Sequence, residues 1–144
     1  MKLISSAFQQ NQPIPAQYTC KGADVNPPLQ FDDIPQTAKS LVLIVDDPDA
    51  PAGTWVHWVV YNIPATVSHI VENTTPEGIE GMNSFGKKAY GGPCPPSGTH
   101  RYFFKLFALD TVLSLSETVD VAVVTSAMQG HILAQAELLG TFSK

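Results

Sequence analysis

The sequence predicts a mainly β, single-domain protein, and three observations carry that prediction. Ser40–Asp47 reads SLVLIVDD, Trp55–Ile63 reads WVHWVVYNI and Tyr102–Leu109 reads YFFKLFAL. These runs are too rich in β-branched and aromatic side chains to be anything but strands. Twelve prolines cut the chain into turns and sheet edges. At 144 residues the chain is one domain, 1–144, large enough to bury a core without staples.

Taken in order, residues 2–8 form a short strand. The following stretch, QQNQPIPAQYTCKGADVNPP, is loop, because Pro13, Pro15, Pro27 and Pro28 interrupt it too often for regular structure. Leu29–Phe31 is a brief strand. Ser40–Asp47 is continuously aliphatic and so buried on both faces, until DPDAPAG ends it. In Trp55–Ile63 strict alternation puts Trp55, His57, Val59 and Tyr61 on one face and Val56, Trp58, Val60 and Asn62 on the other; Pro64 stops the strand. Residues 65–98 are turn-rich and show no period. Asp120 caps a helix over about Val121–His131, with Val121, Val124 and Met128 along one face. The tail ILAQAELLGTF has good helix propensity, yet Ile132, Ala134, Ala136 and Leu138 alternate with Gln135 and Glu137 as in a strand. Both readings stay open.

The net charge is −5, and the eight basic residues are scattered. That excludes nucleic acid and acidic membrane surfaces, which need a basic patch. An anion bound here must be held by local donors against the overall field. Cys20 and Cys94 make neither a zinc framework nor a disulfide scaffold. They are read as two free thiols in a reducing compartment, with a single bridge as the alternative. The N-terminus, MKLISSAFQQ, lacks the apolar run of a signal peptide, and no segment reaches the length of a membrane helix. The expectation is a soluble, cytoplasmic protein.

Chemistry concentrates in Gly91–Tyr102, GGPCPPSGTHRY. Clustered prolines and glycines make this a rigid, shaped loop rather than a linker. It opens into a strand on which His100 and Tyr102 point one way and Arg101 the other. DPDAP at 47–51 adds two carboxylates, Asp47 and Asp49, at the end of a buried strand. Alone it reads as an Asx-Pro turn. His57 stands in an otherwise apolar strand, where a hydrogen-bonded core histidine is the plain reading. If the strands neighbour one another, a carboxylate and two imidazoles converge, and the carboxylate raises the imidazole pKa values toward cationic donors. Weaker alternatives are Cys94 as a nucleophile with His100 as its base, and zinc held by Asp47, His57 and His100. Arg101, turned away, pairs with a carboxylate such as Asp49 in a buried or partly buried structural ion pair. His69 is a solvated loop residue, and His131 complements a helix end or an interface. Trp55, Trp58, Phe103, Phe104 and Phe107 are core.

These blocks resemble a known family, the phosphatidylethanolamine-binding or Raf-kinase-inhibitor-like proteins. The resemblance rests on DPDAP at 47–51, Trp-x-His at 55–57, the block running from Pro95-Pro96 to His100-Arg101-Tyr102, and the ending GHILAQAELLGTF at 130–142. They span nearly the whole chain in family order, and the short loops are similar to the bacterial and archaeal branch. The resemblance implies a Greek-key β-sandwich of antiparallel sheets with a few short peripheral helices. It also implies a small anion pocket on Asp47, His57, His100 and Tyr102, walled by Cys94, Pro95 and Pro96, that receives phosphate-bearing head groups. Two departures stand out. Val56-His57 replaces the His-His of several relatives, and the helix VAVVTSAM is more apolar than an exposed helix needs.

The function expected is therefore a non-enzymatic anion-binding module without cofactor or metal. The competing class is a small hydrolase using Cys94 and His100 or a pocket-bound metal. No serine elbow, phosphate loop or paired metal motif supports that class. Modulation of a kinase or protease is a third class, invited by the family name alone. Four successive apolar residues, Val121–Val124, cover more than one helical stripe, and a homodimer through that helix is expected.

Overall fold

The computed structural model describes residues 1–116 and 119–144. Its centre is β4, Ser40–Asp47, all eight residues of which are buried. Antiparallel partners flank it on both sides, β5 (Trp55–Pro64) and β8 (Thr99–Leu109). Continuous aliphatic sequence is what such a position demands, since both faces of the strand meet core. Leu41, Leu43 and Val45 enter one hydrophobic cluster, and Val42 and Ile44 enter the other.

The larger sheet runs β2-β9-β8-β4-β5-β7, with β2 at Gln12–Pro13, β7 at Ile79–Glu80 and β9 at Ile132–Ser143. The chain leaves β5, crosses a long connection and returns as β8 beside β4, a Greek-key path. A second sheet, β1-β3-β6, combines Lys2–Ile4, Leu29–Asp32 and His69–Ile70. Its Leu3, Leu29, Phe31 and Ile70 join Trp58, Tyr102, Phe104 and Leu106 of the larger sheet in the main core. The opposite face of the larger sheet is covered by Leu113, Val119 and the helix α1, Val121–Met128. Among the described residues the fold is a mainly β sandwich with one α-helix and a short 3-10 turn at Ala16–Tyr18.

The helix begins as expected: the Asp120 carboxylate accepts from Val123 N at 3.1 Å. It ends three residues early, at Met128 rather than His131, because Gly130 takes a positive φ of 81° and turns the chain into β9. Val124 and Met128 are buried against the sheet, whereas Val123 is 43 % exposed. The ambiguous tail is strand. It pairs with β8 from Thr99–Ser143 to Leu109–Ile132, and the backbone donors and acceptors along that side of β8 decide the matter against helix propensity.

Strict alternation in β5 fails. Val45 pairs with Trp58 and Asp46 with Val56, so His57 is an extra residue, and a second register shift follows toward Ile63. Val56 therefore joins Val59 and Tyr61 in the outer cluster, while Trp58 and Val60 enter the main core. Asn62, at a positive φ of 54°, leaves both cores and exchanges two 2.8 Å bonds with the backbone of Leu113.

Candidate functional site

At one end of the main core, three strands deliver four polar side chains to one place. Asp47 closes β4 on the side of Leu43 and Val45. His100 and Tyr102 lie on the inward face of β8 with Phe104. His57 joins them because the extra residue in β5 puts its ring against Tyr102, centroids 5.3 Å apart and edge-on. A cavity of about 280 Å³ opens there, bounded by these four residues. Its rim is Trp55, Phe85, Cys94 and Pro96, with Ala50 and Pro51 from the turn after β4.

The polar groups are interlocked. The His100 Nδ1–H donates to Asp47 Oδ2 at 2.6 Å, both residues being buried. The other oxygen, Asp47 Oδ1, accepts from Asp49 N at 2.7 Å and so folds the turn DPDAP over the strand end. The His57 Nδ1–H donates to Gly91 O at 2.7 Å. Each imidazole thus has Nδ1 engaged and borders the cavity. His100 and Tyr102 stack at 6.5 Å. The Tyr102 hydroxyl is fully buried and meets no partner in hydrogen-bonding geometry among the described residues, although the Asp47 carboxylate and the Cys94 backbone lie near enough to act on its pKa. Burial first, and the Asp47 charge second, push its pKa up, so it stays a neutral phenol able to donate.

One electrostatic expectation is overturned. The Asp47 charge does favour protonation of His57, but burial outweighs it and the His57 pKa is lowered. The ring is kept toward its neutral form instead of becoming a better cation.

The wall is built by close approach. Gly92 N donates to Asp24 Oδ1 at 2.7 Å, and a Cβ on Gly92 would meet that oxygen and Tyr18 O at 2.4 Å. A Cβ on Gly91 would meet the Phe85 ring at 2.5 Å. Only glycine allows these contacts, which explains the pair Gly91-Gly92. Cys20 N donates to Pro93 O, and the two cysteines are joined as a Cys20–Cys94 disulfide. The free-thiol reading is corrected. With its sulfur in a bridge, Cys94 has no thiolate to offer as a nucleophile, and the argument for a reducing compartment that rested on free thiols is withdrawn. No helix among the described residues is long and apolar enough to cross a membrane.

Other expected residues fall as follows. Pro95 is buried behind the loop and does not bound the cavity, while Pro96 does. Arg101 and Asp49 meet in a bidentate pair at 2.9 Å, and Asp49 also accepts from Arg101 N. The Arg101 side chain is 52 % exposed and that of Asp49 29 %, so the pair lies at the surface and is partly buried only on the Asp49 side. The cause is alternation: the outward face of β8 carries no covering layer at this end. His131 pairs with Asp110 at 2.8 Å on the surface, and His69 is exposed. Trp55 is not core; it is 37 % exposed and meets Phe85 edge-on at 5.4 Å. Phe103 and Phe107 are half-buried, and Arg101 and Lys105 lie over the Phe103 ring. Among the described residues, no three His, Cys, Asp or Glu side chains are grouped to hold a metal ion.

Phe85 escaped the sequence reading because its loop has no period. It is placed by Asn83, a buried residue whose Oδ1 accepts from Phe85 N and Lys87 N and whose Nδ2 donates to Ala89 O. The segment Asn83-Ser84-Phe85-Gly86 carried that signal, since Asn before a Gly turn commonly bonds its own loop.

A β-sandwich with a small cavity at one end of its core, lined by two imidazoles and a phenol, has the form of a small-ligand-binding protein. The comparisons narrow it. The family model described as phosphatidylethanolamine-binding protein matches residues 4–143, and the chain belongs to that family. A UPF0098 protein of Chlamydia pneumoniae is 49 % identical over all of this chain and 99 % of its own length. One from Methanothermobacter thermautotrophicus is 47 % identical over 100 % and 99 %. Among solved structures, a phosphatidylethanolamine-binding protein homologue from Chlamydia trachomatis is 47 % identical. It covers 99 % of this chain and 97 % of its own, with a TM-score of 0.96. YbcL of E. coli, described as a new member of the mammalian family, is 30 % identical over 99 % and 98 %, with a TM-score of 0.92.

Proposed function

We propose that this chain is a non-enzymatic binding module whose cavity receives a small phosphate-bearing anion. The observation that carries the reading is the buried, unpartnered Tyr102 hydroxyl. A buried hydroxyl without a partner costs roughly 1–3 kcal/mol, a cost that a bound acceptor would remove. His100 stands beside it with Asp47 on Nδ1, which orients the ring and leaves Nε2 as a second donor when protonated. Family membership supports the same class, because the matching family is described by a phosphate-containing lipid. The hydrolase alternative lacks a nucleophile here, with Cys94 bridged to Cys20. Modulation of a kinase or protease finds no side chain in the cavity that argues for it.

Calorimetric titration with inorganic phosphate tests the reading. Wild type should bind, His100→Ala should lose affinity at least about tenfold, equivalent to 1.4 kcal/mol, and Tyr102→Phe should lose affinity while remaining folded. Equal affinity in all three proteins would remove the cavity as the binding site.

A further inference from the structure

The hydrogen-bond polarity of the cavity is set before any ligand enters. A carbonyl oxygen can only accept, so the contact between Gly91 O and His57 Nδ1 fixes the ring proton on Nδ1. In the neutral ring Nε2 is then a lone-pair acceptor. The charged and titratable groups around this ring are few. Asp47 faces it from β4, His100 and Tyr102 from β8, and Asp24 from the loop before β3, while the Phe85 loop contributes an apolar ring. Among the described residues no lysine or arginine lines the cavity, and Arg101 is turned outward onto Asp49. Both Asp47 oxygens already accept hydrogen bonds, and its charge stays at the wall. The same rule applies to His100, whose Nδ1–H is held by Asp47, so with neutral rings the cavity presents two imidazole acceptors, His57 Nε2 and His100 Nε2, and one donor, the Tyr102 hydroxyl.

Resting on the anion-site reading above, we propose that this cavity selects tetrahedral oxyanions that carry their own proton, hydrogen phosphate over sulfate. The P–OH donates to His57 Nε2, and another phosphate oxygen accepts from Tyr102 Oη. Sulfate, which has no proton at neutral pH, would set an oxygen lone pair against the Nε2 lone pair. Sites built around a fixed hydrogen bond reject analogues that cannot make it far more strongly than apolar pockets reject a change of size. His57 is the specificity-determining residue, and Gly91 O positions it.

Titration of the wild-type protein with sodium phosphate and sodium sulfate at about pH 8 and constant ionic strength tests this, because the two anions then share shape and nearly share charge. Phosphate is expected to bind about a hundredfold or more tighter than sulfate. Acidification through the His57 pKa, which burial holds below the ordinary ~6.5, should bring sulfate binding in, as Nε2 becomes a donor. His57→Gln, whose amide can turn its NH2 inward, should narrow the ratio, with circular dichroism confirming that the variant is folded. Equal affinity for the two anions in the wild type would overturn the selectivity and leave the anion site standing. Binding of neither anion would overturn both.

Discussion

Asp47 and Asp49 stand two residues apart at the end of the same strand, and their partners, His100 and Arg101, are neighbours on the next. The two pairs could hardly be closer in sequence, yet they do different things. Asp47–His100 is buried at the mouth of the main core and forms part of the cavity. Asp49–Arg101 lies at the surface on the opposite face. Side-chain alternation along β8 separates them, and solvent does the rest. A buried pair cannot lose one member without leaving the other desolvated, whereas water takes over for an exposed one. The stronger cation, Arg101, belongs to the pair with less consequence.

The contrast should break most visibly at Asp47. Asp47→Ala strips His100 of its Nδ1 acceptor and Asp49 N of its turn bond, at a cost of about 1–3 kcal/mol in denaturant unfolding. Phosphate affinity should fall more than about tenfold, since the His100 ring loses its orientation. A variant of wild-type stability and affinity would show that the buried pair is not an anchor.

The next effect is smaller and sharpens the role of burial. His57 has its pKa lowered by burial, so below about pH 6.5 the unfolded chain takes up a proton that the folded ring resists. Stability from this group is complete above that value and declines as pH falls through the lowered folded pKa. Asp49, held down to about 2 by Arg101, contributes its pH dependence only in the carboxylate range below ~4, well outside this window. Melting temperature between pH 8 and 5 should fall more steeply for wild type than for His57→Gln. Parallel curves would mean that the ring titrates normally.

Arg101→Met should do least. The exposed pair is bidentate, and the guanidinium also lies 5.5 Å from the Phe103 ring centroid, but solvent and salt screen it. Melting temperature should shift only slightly and phosphate affinity not at all. A loss of affinity would place Arg101 on the anion and reverse the comparison.

The strands at the centre were legible in sequence for a physical reason. A strand flanked on both edges and covered on both faces must be continuously apolar, and SLVLIVDD is. The Asp120 helix cap, the outward turn of Arg101 and the inward turn of His100 and Tyr102 likewise follow from local periodicity and local hydrogen bonding. The family resemblance implied the fold and brought Asp47, His57, His100 and Tyr102 together as candidates.

What periodicity could not supply is whatever depends on two distant segments meeting. His57 reaches the cavity through an extra residue in β5 that only pairing with β4 reveals. The ambiguous tail became strand because β8 had an open side to fill. Phe85 and Trp55 form the rim because a loop held by Asn83 folds back over β5. Cys20 and Cys94, 74 residues apart, are bridged because the loop after the 3-10 turn packs on the Gly91-Gly92 wall. The sequence by itself determined which faces of its strands are apolar and which side chains the mouth loop holds. Tertiary structure decided the burial of each ion pair and the protonation preference of His57, since both depend on how much water the assembled sandwich leaves around a charge.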